Sequence, residues 1–188
     1  MKVLLCSDTH ASQGYITLLR EKINAFNPDY LIHLGDDYND VPQLMAPEYQ
    51  TIRIPGTWCS AYQDPIIENR CMEEIEGWAF FLTHTPNADR HDLPSDPKPE
   101  SVLEERSCDI FCHGHTHHPI CEQKDGVWIL NPGHLKEKDN RGFPPTYAEL
   151  LVSSEEIEIQ IKSVLKNQKL NLCSVKIIDY LLDNINLS

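Results

Sequence analysis

The chain has 188 residues, 40% hydrophobic and 24% charged, enough for one domain with a proper core and no need of disulfide or metal staples. Its formal net charge of −13 argues against nucleic-acid polymers and anionic membranes as partners, because both reward positive surface. A small phosphorylated substrate is still allowed, since bound cations invert the local field of an acidic site.

Lys2–Cys6 is an apolar run that reads as a buried strand and opens directly onto Asp8-Thr9-His10. Residues 15–26 predict a helix, with Ile16, Leu19, Ile23 and Phe26 at helical spacing. Residues 30–34 form a second strand that ends at Gly35-Asp36-Asp37, and residues 51–54 a third, stopped by Pro55-Gly56. Trp78–Thr83 is a fourth, stopped by His84-Thr85-Pro86. Residues 87–100, rich in proline and aspartate, mark a loop or lid. Ile110–Cys112 and residues 127–130 are further strands; the first leads into Cys112-His113-Gly114-His115-Thr116-His117-His118-Pro119 and the second into Asn131-Pro132-Gly133. Residues 148–152 and 157–161 alternate with the period of a hairpin. The tail, 175–187, places Ile177, Ile178, Leu181, Leu182 and Ile185 on one face and predicts a terminal helix docked on the domain, with a partner interface or homo-oligomer left open.

Short buried strands separated by helices indicate an α/β core, and the late strands add an antiparallel part. Seven cysteines without zinc-ribbon spacing, several inside apolar runs (Cys6, Cys112), read as small buried thiols. Met1–Cys6 is too short for a signal peptide and no stretch approaches a membrane-spanning length, so a reduced cytoplasm is the expected location.

The first, second, fourth and fifth strands each end on a potential metal ligand. Singly these residues have ordinary readings: Asp8 in a turn, Asp36 as a helix N-cap, His84 in a loop. His115-x-His117 is stronger, because alternate residues of an extended segment point the same way. Functional groups gather at the carboxyl ends of strands in α/β sheets, and four such endings together imply one site.

Asp8-x-His10, Gly35-Asp36, His84, Gly114-His115-x-His117 and Asn131-Pro132-Gly133 occur in the order found in calcineurin-like metallophosphoesterases, and most resemble the small bacterial and archaeal phosphodiesterases of that superfamily. The resemblance spans roughly residues 2–165 and implies two facing mixed β-sheets flanked by helices, a four-layer α/β sandwich. The domain would then be residues 1–165, with 166–188 as the tail. It further implies that Asp8, His10, Asp36 and His117 hold a first metal ion, and that Asp36 bridges to a second, also held by His84 and His115. Asp36 and His10 would stand nearest the reaction. Two divalent cations roughly 3.5–4 Å apart would clamp the phosphoryl oxygens, and a bridging water would become the attacking hydroxide. Mixed nitrogen and oxygen donors suit manganese first, with iron, nickel, zinc or magnesium as alternatives. Asp37 would orient a ligand histidine or simply face water.

The pattern breaks after the third strand. The family places an asparagine there as a ligand of the second metal; here the segment is Pro55-Gly56-Thr57-Trp58-Cys59-Ser60. Thr57 offers a weak hydroxyl, and Cys59 either a thiolate that favours softer metals or an ordinary packing thiol. The acid for the leaving group is open among His10, His91 and a metal-bound water. His33 reads as a core histidine, His113 and His118 as neighbours of the ligands, and His134 as facing pocket or solvent. The expected function is a metal-dependent phosphoesterase, preferring diesters. The alternatives are a scaffold that kept the fold without turnover, or a single-metal sensor.

Overall fold

Val3 and Leu5 of β1 (Lys2–Cys6) point to one side, Leu4 and Cys6 to the other, and all four are buried. A strand buried on both faces must lie between two packed layers. On one side α1 (Gln13–Phe26) lays Ile16, Leu19 and Ile23 against Leu4, Cys6 and Leu31. It stops at Asn27, whose left-handed backbone (φ 52°) lets its N–H donate to the Ile23 carbonyl at 2.8 Å. On the other side lies a second sheet.

The computed structural model describes residues 1–165 and 171–178. The first sheet has six strands in the order β11-β10-β9-β1-β2-β3, with β2 (Tyr30–His33), β3 (Gln50–Arg53), β9 (Thr146–Val152), β10 (Glu156–Ser163) and β11 (Asn171–Ile178). β1, β2 and β3 run parallel; β9, β10 and β11 join antiparallel. The second has five in the order β4-β5-β6-β8-β7, comprising β4 (Arg70–Ile75), β5 (Trp78–Thr83), β6 (Ile110–Cys112), β7 (Ile120–Lys124) and β8 (Val127–Asn131). β5, β6 and β8 are parallel, and β4 and β7 edge them antiparallel.

The two sheets share one core, in which Val3, Leu5, Ile32 and Leu150 meet Phe80, Leu82, Ile110 and Leu130. The outer face of the second sheet, through Phe81 and Phe111, packs on Val102 of α2 (Pro99–Glu105). The expected two mixed sheets flanked by helices are therefore present. Among the described residues no helix is long and apolar enough to cross a membrane.

Two edge strands and α2 go beyond the elements read from the sequence. Both edge strands close onto their neighbours through two-residue turns with positive φ, Glu76-Gly77 (54°, 86°) and Asp125-Gly126 (52°, 94°). Asp-Gly between strand-like runs is a strong hairpin signal. The charged faces of these strands, such as Glu73 and Glu122, hide the apolar alternation that would otherwise announce them.

The helix expected over 175–187 is not what forms in the described part of the tail. Asn171–Ile178 is a strand, paired antiparallel with β10 from Glu156↔Ile178 to Lys162↔Asn171. Val175 and Ile177 join the inter-sheet core, with exposed Lys176 between them. The open backbone edge of β10 rewards a strand, which satisfies its N–H and C=O groups, over a helix, which would not. The tail from residue 171 to 178 is thus part of the sheet; the rest of that expectation lies outside the described residues.

Arg70, at the start of β4, ties the loops above the sheets together. Its buried guanidinium reaches both Asp92 oxygens (2.8 and 2.9 Å), Thr85 Oγ1 (3.1 Å) and the Pro97 carbonyl (3.2 Å), while Nε donates to Thr83 Oγ1 (3.1 Å). Segment 87–100 is thereby a fastened loop. Asp92 also accepts from the Tyr62 hydroxyl (2.6 Å), which links it to the 3-10 turn Ser60–Gln63. Removing one partner of such a buried charged pair strands the other without compensation. Arg70→Ala is expected to lower unfolding free energy by about 3–5 kcal/mol in chemical denaturation, and Arg70→Lys to recover only part of it.

Candidate metal centre

The site grows from the carboxyl ends of β1, β2, β5 and β6, where the two sheets meet. Asp8 and His10 follow β1, Asp36 follows β2, His84 follows β5, and His115 and His117 follow β6. Five of these six residues have positive φ: Asp8 54°, His10 47°, Asp36 29°, His115 65° and His117 60°. Each costs roughly 1–2 kcal/mol for a residue with a Cβ, a large sum beside a domain stability of about 5–15 kcal/mol. Strain gathered this way persists only where surrounding packing over-determines it, and it marks functional sites.

Two glycines make the close approach feasible. A Cβ on Gly35 (φ 98°) would stand 2.4 Å from His84 Nδ1, and one on Gly114 would stand 1.9 Å from Ser7 Oγ and 2.7 Å from Asp8 Oδ2. Asn131 then clasps the histidine loop, its Nδ2 donating to the Gly114 carbonyl (3.0 Å) and Thr116 Oγ1 (2.9 Å) while its Oδ1 accepts from Gly133 N–H (2.8 Å). The Asn131-Pro132-Gly133 turn is therefore a brace for the ligand loop.

The six residues converge, and they divide into two groups around Asp36. Asp8, His10, Asp36 and His117 each aim a ligand atom at one point, all within 4.8 Å of one another. His10 Nε2 lies 2.6 Å from Asp36 Oδ2 and 3.0 Å from His117 Nε2, which is 3.2 Å from Asp8 Oδ1. On the other side Asp36 Oδ1 lies 3.2 Å from His84 Nε2, which is 3.3 Å from His115 Nδ1. His115 and His117 do not share an extended segment, as strand-like alternation would require. Each takes a left-handed turn, and the two imidazoles join different groups.

Hydrogen bonds set the tautomers. A carbonyl only accepts, so His84 Nδ1 must carry the proton it gives to Leu34 O at 2.7 Å, leaving the Nε2 lone pair facing Asp36. His117 Nδ1 bonds the Asp139 carboxylate and likewise presents Nε2 inward. This carboxylate–imidazole arrangement is how metal-ligating histidines are held. The carboxylate concerned is Asp139; Asp37 is exposed and stands at the start of the 3-10 turn Tyr38–Gln43. Nothing in the local sequence singles out Asp139, which lies in a polar loop 22 positions after His117.

Burial alone would raise the carboxyl of Asp36, but the imidazoles of His10 and His84 bonded to it hold it well below the ordinary range. Burial depresses His84 and His117, and the carboxylates beside them, Asp36 for the first and Asp8 for the second, reverse the direction in both. His115, next to His84, is lowered by burial and by that neighbour. The donor set thus places carboxylates against imidazoles with oriented lone pairs, a set that fits divalent transition metals. Holding these groups together without a cation has no structural benefit.

The remaining histidines resolve into supports. His33 is fully buried, bonded to Thr9 Oγ1 (3.3 Å), and pushed down by burial to about 4. His113 is buried against the Gly114 carbonyl (2.9 Å), and exposed His118 stacks on Phe143 (4.3 Å between centroids). His134 stacks behind His117 (5.1 Å), with both ring nitrogens bonded to backbone at 3.1 Å, which leaves it no lone pair for a metal. Thr57 is buried and its Oγ1 has no hydrogen-bond partner, whereas Cys59 is half-buried and opens the turn Ser60–Gln63. Asp139→Asn is expected to weaken metal binding about 10–100-fold without unfolding the chain, measured by isothermal titration with manganese.

Residues 1–155 match the family model described as "Calcineurin-like phosphoesterase superfamily domain". A "Probable metallophosphoesterase" of Mycoplasma pneumoniae is 34% identical over 158 residues, covering 83% of this chain and 92% of that protein. The phosphodiesterase MJ0936 of Methanocaldococcus jannaschii is 27% identical over 153 residues, 71% of this chain and 83% of the relative. Among solved structures, vacuolar protein sorting 29 of Cryptosporidium parvum superposes with a TM-score of 0.72 at 20% identity, covering 94% of this chain and 97% of that one, a likeness of fold. With the motif order, the two sheets and the converged Asp and His groups in agreement, the chain belongs to the calcineurin-like phosphoesterase superfamily.

Proposed function

We propose that this protein is a metal-dependent phosphodiesterase acting on a small phosphorylated substrate, with manganese as its first-choice metal. The observation that carries the reading is the division of the Asp36 carboxylate, Oδ2 toward His10 and Oδ1 toward His84. A carboxylate can bridge two cations in this way; a neutral imidazole cannot. Asp8, His10 and His117 complete one set of donors around Asp36, and His84 and His115 the other.

When bound, two divalent ions supply Lewis-acid stabilisation of the phosphoryl oxygens and lower the pKa of water. The protein's part is to keep Asp36 anionic, to present imidazole lone pairs through the Leu34 carbonyl and Asp139, and to keep the site at an open strand-end surface where an ester can enter. Thr57 fits the place of the missing family asparagine better than Cys59, because a buried hydroxyl without a partner is costly unless something takes its lone pair.

The preference for diesters rests on the relatives named as phosphodiesterases. A scaffold role draws support only from Thr57 standing where the family has asparagine, and the full set of other ligands speaks against it.

The decisive experiment is metal stoichiometry on the purified chain, followed by assay of aryl phosphodiester and monoester hydrolysis with added manganese. Asp36→Asn and His117→Ala are expected to lower kcat/KM for the diester by more than about 100-fold; activity surviving both changes would remove the proposed site, and tight metal with no turnover would favour a sensor. Thr57→Asn supplies an amide oxygen and is expected to tighten binding of the second manganese equivalent, seen as a separate step in the titration.

A further inference from the structure

The loop fastened by Arg70 carries a second imidazole–carboxylate pair that the metal centre does not use. His91 Nδ1 lies 2.7 Å from Asp89 Oδ1, and the same carboxylate oxygen accepts the His91 backbone N–H at 2.9 Å. The carboxylate fixes the proton on Nδ1 and the orientation of the ring. Among the described residues Nε2 has no protein partner. The ring packs against Trp58 (4.7 Å between centroids), which is 74% exposed and also lies beneath the Arg90 guanidinium (5.4 Å).

Two sets of contacts and one electrostatic interaction put this pair at the His84 and His115 end of the centre. Arg70 binds Asp92, one residue beyond His91, and also Thr83 and Thr85, which flank His84. Trp58 adjoins Thr57, and Gly56 before it donates its N–H to the Asp36 carbonyl at 3.2 Å. The Asp89 charge also acts on His115 across the gap. A phosphodiester held at Asp36 would therefore have one ester arm beside His91 and Trp58.

We propose that His91, held by Asp89 and walled by Trp58, is the acid that protonates the leaving oxygen of the substrate. The inference rests on the phosphodiesterase reading. In the step, a water oxygen bonds to phosphorus and releases its proton to solvent. The bond from phosphorus to the leaving oxygen breaks with its electron pair, and that oxygen takes the Nε2 proton of the imidazolium. Solvent then returns a proton to the neutral ring. Asp89 is the positioning residue, since among the described residues its carboxylate is bonded only to His91.

An acid matters most when the leaving group is a poor one. The test measures kcat/KM of the manganese-loaded full chain on methyl aryl phosphodiesters, from 4-nitrophenyl to unsubstituted phenyl. His91→Gln is expected to cost less than about 3-fold with 4-nitrophenyl and about 100-fold with phenyl, with metal content and melting temperature unchanged. Asp89→Asn should steepen the dependence on leaving group in the same direction, and the double variant should be no worse than His91→Gln. A loss equal across the series, or no loss, overturns the role of His91 while leaving the phosphodiesterase intact. A wild-type chain that hydrolyses none of these esters overturns both.

Discussion

Asp36 is the residue on which the two halves of the molecule agree. It leaves a strand of the first sheet, yet one of its carboxylate oxygens faces His10 of that sheet and the other faces His84 of the second. Its backbone is pinned from the loop after the third strand, where the Gly56 N–H donates to its carbonyl and a Cβ on Gly56 would have no room. An ionised carboxylate in that position needs positive partners on both sides, imidazolium rings or cations that the flanking imidazoles would hold. The sheets can supply them only if they pack face to face with their strand ends aligned, so the core and the site impose the same geometry.

That geometry is costly. Left-handed backbone at Asp8, His10, Asp36, His115 and His117 stores strain that no local preference offsets. The compensation is distributed: the shared apolar core of both sheets, the Asn131 clasp, and the carboxylates that hold imidazoles from behind. Asp139 does this for His117 and Asp89 does it for His91, so two polar loops each contribute an acid whose role is orientation. A protein with a net charge of −13 can still present an anion-binding surface if its acids are engaged in this way, as ligands and braces.

The strands buried on both sides were legible because a short continuous apolar run, bounded by turn residues, has little else to become in a soluble α/β core. β1 and β5 have the limits that their sequences suggested, and the first helix differs only at its start. The edge strands β4 and β7 were hidden by charged residues on their outer faces, although Asp125-Gly126 signalled one of the hairpins. The tail shows the opposite failure. Apolar residues at 177, 178, 181 and 182 fit a helical face, but the vacant edge of β10 recruits Asn171–Ile178 as a strand. A propensity within one segment cannot weigh a hydrogen-bonding partner supplied by another.

Which residues converge could be read from the chain unaided: aspartates and histidines placed where apolar strands stop, in an order that few folds share. Those positions are local, written into the ends of strands, and so can be read one segment at a time. How they divide was settled by the packing of the sheets. It separated His115 from His117, gave one oxygen of Asp36 to each group, and brought Asp139 to His117. These pairings join residues from different loops and different sheets, and contacts of that kind exist only once the two sheets have closed on each other.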